Sequence, residues 1–533
     1  MPWAQSYDPL GNPLASTLLA AVPVVVLLGF IATGRLKAHV AAIIALAAAF
    51  AIAVLVLGMP VQSALAASVT GAAYGLMPIG WIVLNILFLY QLTKEQGAFD
   101  KMQASIGAVS SDKRIQLVLI AFSLGAFFEG AAGFGTPVAI TGALLIGLGF
   151  TPLQASGLSL IANTAPVAFG AMGTPVTALA GVTGIDVLEV SKMVGRQTPI
   201  FALVIPFWII GAYEGWKGIR ETWPTILVAG VSFAIPQFLM SNYQGPYLVD
   251  VTAGAVSILA VSAFVRFRGR SSAASPQVQA SLGSIKPWIP WMLLSVFVLV
   301  WGLLPVKKFL NGLFAPQLHV PYLDNLIQRV PPVVAAPTLE PAIYSFNILS
   351  ATGTSILLAA IIGGLAMGCS FGELGRVYLR TLRLATNSLM TISAMLSLGY
   401  LTRFSGLDAI LGLAFAKTGW LYPLFGTLLG WLGVALTGSD TASNVLFGSL
   451  QTITARTLGL SPILMAAANS SGGVMGKMID MQSIVVASAA TRWYGHEGKI
   501  LRFVFVHSLV LAILVGILVM LQAYVPLFMR MVP

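Results

Sequence analysis

Twelve runs of this chain are apolar over roughly the 20 residues that a helix needs to cross a ~30 Å hydrocarbon core, and no segment between them is long enough for a soluble domain. They fall near 14–33, 38–58, 71–92, 152–180, 198–213, 222–241, 246–265, 287–306, 343–368, 386–402, 462–490 and 503–525. Only 8% of the 533 residues are charged, against about a quarter in a soluble protein. The expected class is an all-α polytopic membrane protein whose immediate partner is the lipid bilayer. The opening stretch "MPWAQSYDPLGNPLA" holds no lysine or arginine, so it lacks the basic start of a cleaved signal peptide, and the first apolar run is expected to be retained as a helix.

Two further apolar stretches, 115–150 and 418–458, are interrupted at the centre by small and polar residues. If each is a re-entrant hairpin that enters and leaves on one side, the other twelve segments alternate across the membrane. With the N-terminus outside, in a bacterium the periplasm, eighteen of the twenty-eight Lys and Arg fall on inner loops, among them Lys37, Lys94, Lys113 and Arg114. That is the cytoplasmic bias of basic residues; Lys307 and Lys308 count mildly against it. The same bias explains the net charge of +11 without a nucleic-acid partner. Residues 266–286, Ser-rich and basic, read as a flexible cytoplasmic linker between an N-terminal half, 1–265, and a C-terminal half, 287–533. The proline-rich 307–342 stretch reads as an ordered cap or loop rather than a helix.

The chain resembles itself at a spacing of about 305 residues. "LTKEQGA" at 92–98 returns as "LTRFSGL" at 401–407, "LGAFFEG" at 124–130 as "LGVALTG" at 432–438, and "LGFTP" at 148–152 as "LGLSP" at 458–462. "ANT" at 162–164 then matches "ANS" at 468–470, and "GAMG" at 170–173 matches "GVMG" at 473–476. In the topology above Lys94 faces the cytoplasm and its counterpart Arg403 faces outside, so the copies, about 71–213 and 386–525, have opposite orientation. Inverted-topology repeats mark secondary transporters, in which two halves exchange conformations around one central site.

Each repeat holds two places where an apolar helix breaks: "EGAAGFGTP" (129–137) and "NTAPVAFGAMGTP" (163–175), then "TGSDTASN" (437–444) and "NSSGGVMGKMID" (469–480). The broken helices themselves are expected at 152–180 and 462–490. Broken backbone at membrane depth is tolerated only inside protein or beside a wet cavity, so the four breaks define such a cavity. Half-helix N-termini and neutral donors suit a small anion. The candidate substrate contacts are Gly130, Thr136, Asn163 and Thr164 from the first repeat and Ser439, Thr441, Asn444, Asn469, Ser470 and Ser471 from the second. A Ser or Thr in such a place serves equally well by bonding its own helix backbone.

Three charges, Glu129, Asp440 and Lys477, lie in the breaks, where an ionisable group costs roughly 2.5 to 3.5 kcal/mol unless paired or neutralised. A carboxyl that takes a proton in one state and releases it in another couples transport to a proton gradient, and Glu129 and Asp440 are the candidates. Lys477 either attracts a substrate carboxylate or bridges to Glu129 or Asp440. His507 in the final helix is a packed histidine or a further proton carrier. The lone Cys369 excludes an internal disulfide, the four histidines are not spaced as ligand pairs, and phosphate-loop, nucleophile-elbow and zinc-helix motifs are missing. No enzyme activity, metal or cofactor is therefore expected. The readings that remain are a proton-coupled carrier, a sodium-coupled carrier of another carboxylate, and an anion channel.

"FFEGAAGFGTPVAI", "LTGSDTASNVLFG" and "AANSSGGVMGKMIDMQSI" closely resemble the corresponding stretches of the bacterial L-lactate permease family, which includes glycolate permeases. The similarity runs over nearly the whole chain. It implies symport of protons with small 2-hydroxymonocarboxylates, L-lactate, D-lactate and glycolate, across the bacterial inner membrane. Through a wider ion-transporter superfamily it also implies a scaffold and a mobile transport domain with paired re-entrant hairpins, elevator-type motion and, by the same analogy, a homodimer. The family's glutamate, "GSD" aspartate and "GKM" lysine fall on Glu129, Asp440 and Lys477. The chain departs from the family's "KMISPQS" at Asp480 and Met481, so the resemblance assigns no strict role to Asp480.

Overall fold

The apolar windows become helices in a computed structural model that describes residues 2–32, 36–98, 101, 109–131, 133, 136–268, 286–334, 336–494 and 496–533. Large apolar side chains such as Leu14, Val25, Leu259 and Val506 point outward, each more than 60% exposed, as in a protein solvated by lipid rather than water. Among the described residues eight helices are long and apolar enough to span a membrane, or up to ten if each of two bent pairs is one span. Part of the difference from twelve lies in Val187–Tyr243, which joins the windows at 198–213 and 222–241 in one stretch. This stretch folds back at Gly215, where φ is +70°, and Ser191 Oγ donates to Ser241 O across its two arms at 2.8 Å. The windows at 38–58 and 343–368 form helices of only 18 and 15 residues, Ala38–Leu55 and Thr352–Ala366.

Both interrupted stretches fold as helical hairpins. The first pairs Lys113–Ala131 with Thr136–Gly147, and Lys113 Nζ donates to Gly149 O across its foot at 2.9 Å. The second pairs Tyr422–Thr437 with Asp440–Thr457, and the Tyr422 hydroxyl donates to Gln451 Oε1 near its foot at 2.6 Å. The two feet sit at opposite ends of the helix Glu497–Tyr524. Thr491, just ahead of that helix, shares a 2.9 Å hydroxyl contact with Ser156 beside the first foot. At the far end the Tyr524 hydroxyl donates to Trp420 O beside the second, at 3.0 Å.

A broken helix follows each hairpin. Pro152–Ala162 and Val167–Thr183 meet at a 63° bend; Pro462–Gly476 gives way to a tight turn at Lys477–Ile479 before Met481–Ala490. The matched "LGFTP" and "LGLSP" have the same local cause. Gly149 and Gly459 take the left-handed conformation that ends a helix (φ +81° and +68°). Thr151 and Ser461 then cap the next helix through their hydroxyls, with proline in its first turn. The second hairpin and second broken helix approach closely because Gly430, Gly472 and Gly476 lie directly on the Asn469, Thr427 and Trp431 backbones.

The all-α expectation is corrected at one end of the molecule. Trp3–Ala4 pairs in parallel with Ile327–Arg329, which pairs antiparallel with Thr338–Leu339, and Gln317–His319 pairs with Ile343–Ser345. Proline removes the amide donors that a helix would need across this stretch, so it crosses in short extended pieces and forms an ordered cap after the helix Leu304–Leu313. Arg329 and Arg403 both reach Glu340 at 2.6 Å, fastening the cap to the long helix Phe371–Ser405. Most of the expected linker, 269–285, lies outside the described residues.

Candidate functional site

The tips of both hairpins and both helix breaks meet in the middle of the molecule, around a cavity of about 400 Å³. Its wall includes Glu129, Gly133, Gly170, Thr174, Ser439, Asp440, Thr441 and Lys477, and it extends to Lys37 and His39. Local sequence explains the shape. Ala171, Met172 and Gly173 take left-handed conformations (φ +44°, +57° and +71°), so the regular helix restarts at Thr174, whose Oγ1 donates to Ala171 O at 2.6 Å. At the second tip Gly438 has φ +72°, and a side chain there would meet Asp480 Oδ1 at 3.0 Å. Ser439 then caps the helix that begins at Asp440. Two half-helix N-termini therefore open onto one space, each with the positive end of its dipole toward the cavity.

The two acids lie against matched glycines, although the repeat sets Thr437, not Asp440, opposite Glu129. A Cβ added at Gly170 would stand 2.6 Å from Glu129 Oε1, and one at Gly473 would stand 2.5 Å from Asp440 Oδ1. These are the first glycines of "GAMG" and "GVMG". Glu129 and Asp440 are only 4% and 3% exposed, and Glu129 Oε2 and Asp440 Oδ1 have no hydrogen-bond partner. The other oxygen of Asp440 accepts from Ser470 Oγ at 2.6 Å and from Asn444 Nδ2 at 3.3 Å. Lys477 is otherwise engaged: Nζ donates to Gly438 O at 2.6 Å and pairs with Asp480 Oδ2 at 3.2 Å. It is a bridge between the second tip and the second break, and its ionic partner is Asp480 rather than Glu129 or Asp440.

Of the expected contacts, Ser439 and Thr441 line the cavity beside the charged groups. Asn444, Asn469 and Ser470 stand behind Asp440. Asn469 Nδ2 donates to Asn444 Oδ1 at 3.0 Å, Gln451 Nε2 donates to Asn469 Oδ1 at 3.1 Å, and the Tyr422 hydroxyl closes the chain on Gln451. Asn163 lies within electrostatic reach of Glu129. Thr164 donates to Ile161 O in its own helix at 2.7 Å, and the buried Ser471 hydroxyl has no partner. Gly130 packs against Asp250 and Val251, and the Thr136 side chain lies outside the described residues. His507 is not part of the cavity wall; its Nδ1 accepts from Trp208 Nε1 at 3.1 Å and its ring packs against Phe503.

Sequence reasoning missed Asn387, Ser388 and Thr391, which line the cavity from the helix Phe371–Ser405. Their i, i+1, i+4 spacing in an apolar window was the available signal. It also missed Asp250, the one acid in the 246–265 window and 1% exposed, which the rule applied to Glu129 would have flagged.

A sequence model described as L-lactate permease matches residues 16–526. The chain is 44% identical over 554 residues to a glycolate permease of Escherichia coli strain K12, with 98% of each chain covered. It is 43% identical over 543 residues to an L-lactate permease of the same strain, again covering 98% of each. To an L-lactate permease of Bacillus subtilis strain 168 it is 44% identical over 570 residues, covering 100% of both. Two solved transporters overlap it loosely and carry no argument about it. Neisseria gonorrhoeae MtrF, described among antimetabolite efflux pumps, has 14% identity and a TM-score of 0.45, with 86% of this chain and 84% of that one covered. The Alcanivorax borkumensis YdaH transporter has 15% identity and a TM-score of 0.43, with 85% and 86% covered.

Proposed function

This chain belongs to the L-lactate permease family, a multi-pass membrane transporter and not an enzyme, and we propose that it imports L-lactate, D-lactate and glycolate together with protons across the bacterial inner membrane. The observation that carries this reading is the central cavity, in which two half-helix N-termini face two buried carboxyls whose free oxygens have no partner. The substrate carboxylate is held by the amides at the starts of the Thr174 and Asp440 helices. The hydroxyls of Thr174, Ser439 and Thr441 are placed to reach its oxygens and its 2-hydroxyl. Lys477, engaged with Gly438 and Asp480, holds the tip against the break.

Glu129 takes the proton, and Asp440, set against the matched glycine of the second repeat, is the second proton carrier. One proton with one monoanion is electrically neutral, so the membrane potential does not oppose uptake of the anion and the pH gradient drives it. The opposed hairpin feet, the matched caps at Thr151 and Ser461 and the paired acid and glycine contacts support an inverted repeat and alternating access around this cavity. In that reading the twelve segments and two re-entrant hairpins form an elevator-type carrier with a periplasmic N-terminus, assembled as a homodimer.

The test is uptake of labelled L-lactate into proteoliposomes under an inward pH gradient, comparing the unmodified protein with Glu129→Gln. Accumulation should fall by roughly 10-fold or more, with exchange at equal internal and external pH falling far less. Gradient-independent uptake by the unmodified protein overturns proton coupling. Replacing external sodium at constant pH then identifies a sodium carrier, and large uncoupled currents identify a channel.

A further inference from the structure

Asp250 is the second residue of the helix Val249–Phe267, and a buried carboxyl in a membrane protein normally has a cation or a full set of donors. It has neither. Oδ2 has no hydrogen-bond partner, and Oδ1 receives only a 3.5 Å contact from Gln237 Nε2, which also donates to Ala165 O at 3.3 Å. Glu129 belongs to the segment packed directly on it: a Cβ at Gly130 would stand 2.8 Å from both Asp250 Cβ and Val251 N. Gln237 is the polar group facing it from the Val187–Tyr243 arm, and Glu129 the titratable group from the first hairpin. The third neighbouring element, Gly170–Thr183, contains no titratable residue. Two buried carboxyls thus lie on adjoining helices, joined through the Gly130 contact, each with one oxygen that has no hydrogen-bond partner.

Their position gives the pair a use. Glu129 lines the cavity that extends to Lys37 and His39. A second cavity of about 630 Å³ lies toward the cap and is lined by Gln244, Gly245, Pro246 and Tyr247, one helical turn ahead of Asp250. The two cavities are separated at this level by Pro246, whose carbonyl lies against Gly173. Asp250 lies one turn beyond the Tyr247 wall of the cap-side cavity, and the Gly130 packed on it adjoins Glu129 in the wall of the central one.

We propose that Asp250 is the proton-relay partner of Glu129. Water in the cap-side cavity protonates the Asp250 carboxylate when the Pro246–Gly173 contact parts. The proton passes from Asp250 Oδ2 to Glu129 Oε2, leaving Asp250 as the carboxylate, and Glu129 releases it to water in the central cavity as substrate departs. Two adjacent carboxylates cannot both ionise cheaply in such a place, so the pair holds one proton at rest. The relay rests on the proton-coupled reading above; the shared proton does not.

Two measurements separate them. In proteoliposomes, Asp250→Asn should slow pH-driven lactate accumulation and the accompanying proton flux by roughly 100-fold, the scale of a lost proton-transfer group, while equal-pH exchange falls much less. Asp250→Asn transport with the wild-type pH profile overturns the relay. In infrared difference spectra of the purified protein, one protonated-carboxyl band that shifts in D₂O should disappear in both Asp250→Asn and Glu129→Gln. A band that survives either substitution overturns the shared proton. If the band behaves as expected but the unmodified protein moves lactate without protons, the pair stands and the proton-coupled function fails with the relay.

Discussion

Lys477 shows how a single charge is made tolerable at membrane depth. Its ammonium pairs with Asp480 at 3.2 Å and donates to Gly438 O at 2.6 Å, while Asp480 Oδ1 caps the following helix through Ser483 N at 2.8 Å. Removing one member of a buried pair strands the other, at about 3–5 kcal/mol. Asp480→Asn should therefore lower the thermal unfolding midpoint in detergent, and Asp480→Asn with Lys477→Met should recover most of the loss; both are read by a melting assay. Lactate affinity should change far less than stability, the opposite of what a substrate-binding lysine gives. The presence of Lys477, Glu129 and Asp440 in the breaks was legible, because each stands out against its own apolar neighbours. Their surroundings were not, since Asp480 and Asp250 acquire meaning only from what the folded backbone sets beside them.

The small β cap sets Leu323 and Ile327 into the hydrophobic core and adds polar contacts around them. Asp324 accepts from the Ala342 amide at 2.7 Å and pairs with His319 Nδ1 at 2.7 Å, and these contacts, the amide first, hold its carboxyl below the usual carboxylate range. A depressed folded pKa means that the stabilisation is present above the unfolded value, about 3.9, and is lost as pH falls through the folded value. Hydrogen exchange in Gln317–His319 and Ile343–Ser345 should accelerate as pH falls below about 4 by more than the intrinsic rate change, and Asp324→Asn should remove that dependence. The ordered cap expected over 307–342 was readable from the prolines from 316 onward, but the helix Leu304–Leu313, which takes up its first residues, was not. Nor was the partner strand Trp3–Ala4, because two residues carry no periodicity and the pairing joins Trp3 to Ile327, far along the chain.

At the scale of the whole molecule, the central cavity extends to Lys37 and His39, and the cap closes the other end through Arg403 and Glu340. In a Cys369→Ser background, Thr391→Cys should react with an impermeant thiol reagent from the Lys37 side and be protected by L-lactate. Thr177→Cys, which faces the cap-side cavity, should show the opposite sidedness. Equal labelling of both cysteines from one side would show that this conformation is not the resting one.

The sequence by itself determined a multi-pass chain of apolar helices interrupted at glycine, proline and isolated charge. Apolar length, glycine, proline and isolated charge act through local backbone and the cost of leaving polar groups in lipid. Only the tertiary structure decided which side chains share the cavity. Asn387, Ser388 and Thr391 enter it from a distant helix, Thr164 turns back on the carbonyl of Ile161, and Asp250 packs against Gly130 beside Glu129. A polar residue on a membrane helix can satisfy itself locally or face a partner, and the arrangement of neighbouring helices chooses between those outcomes.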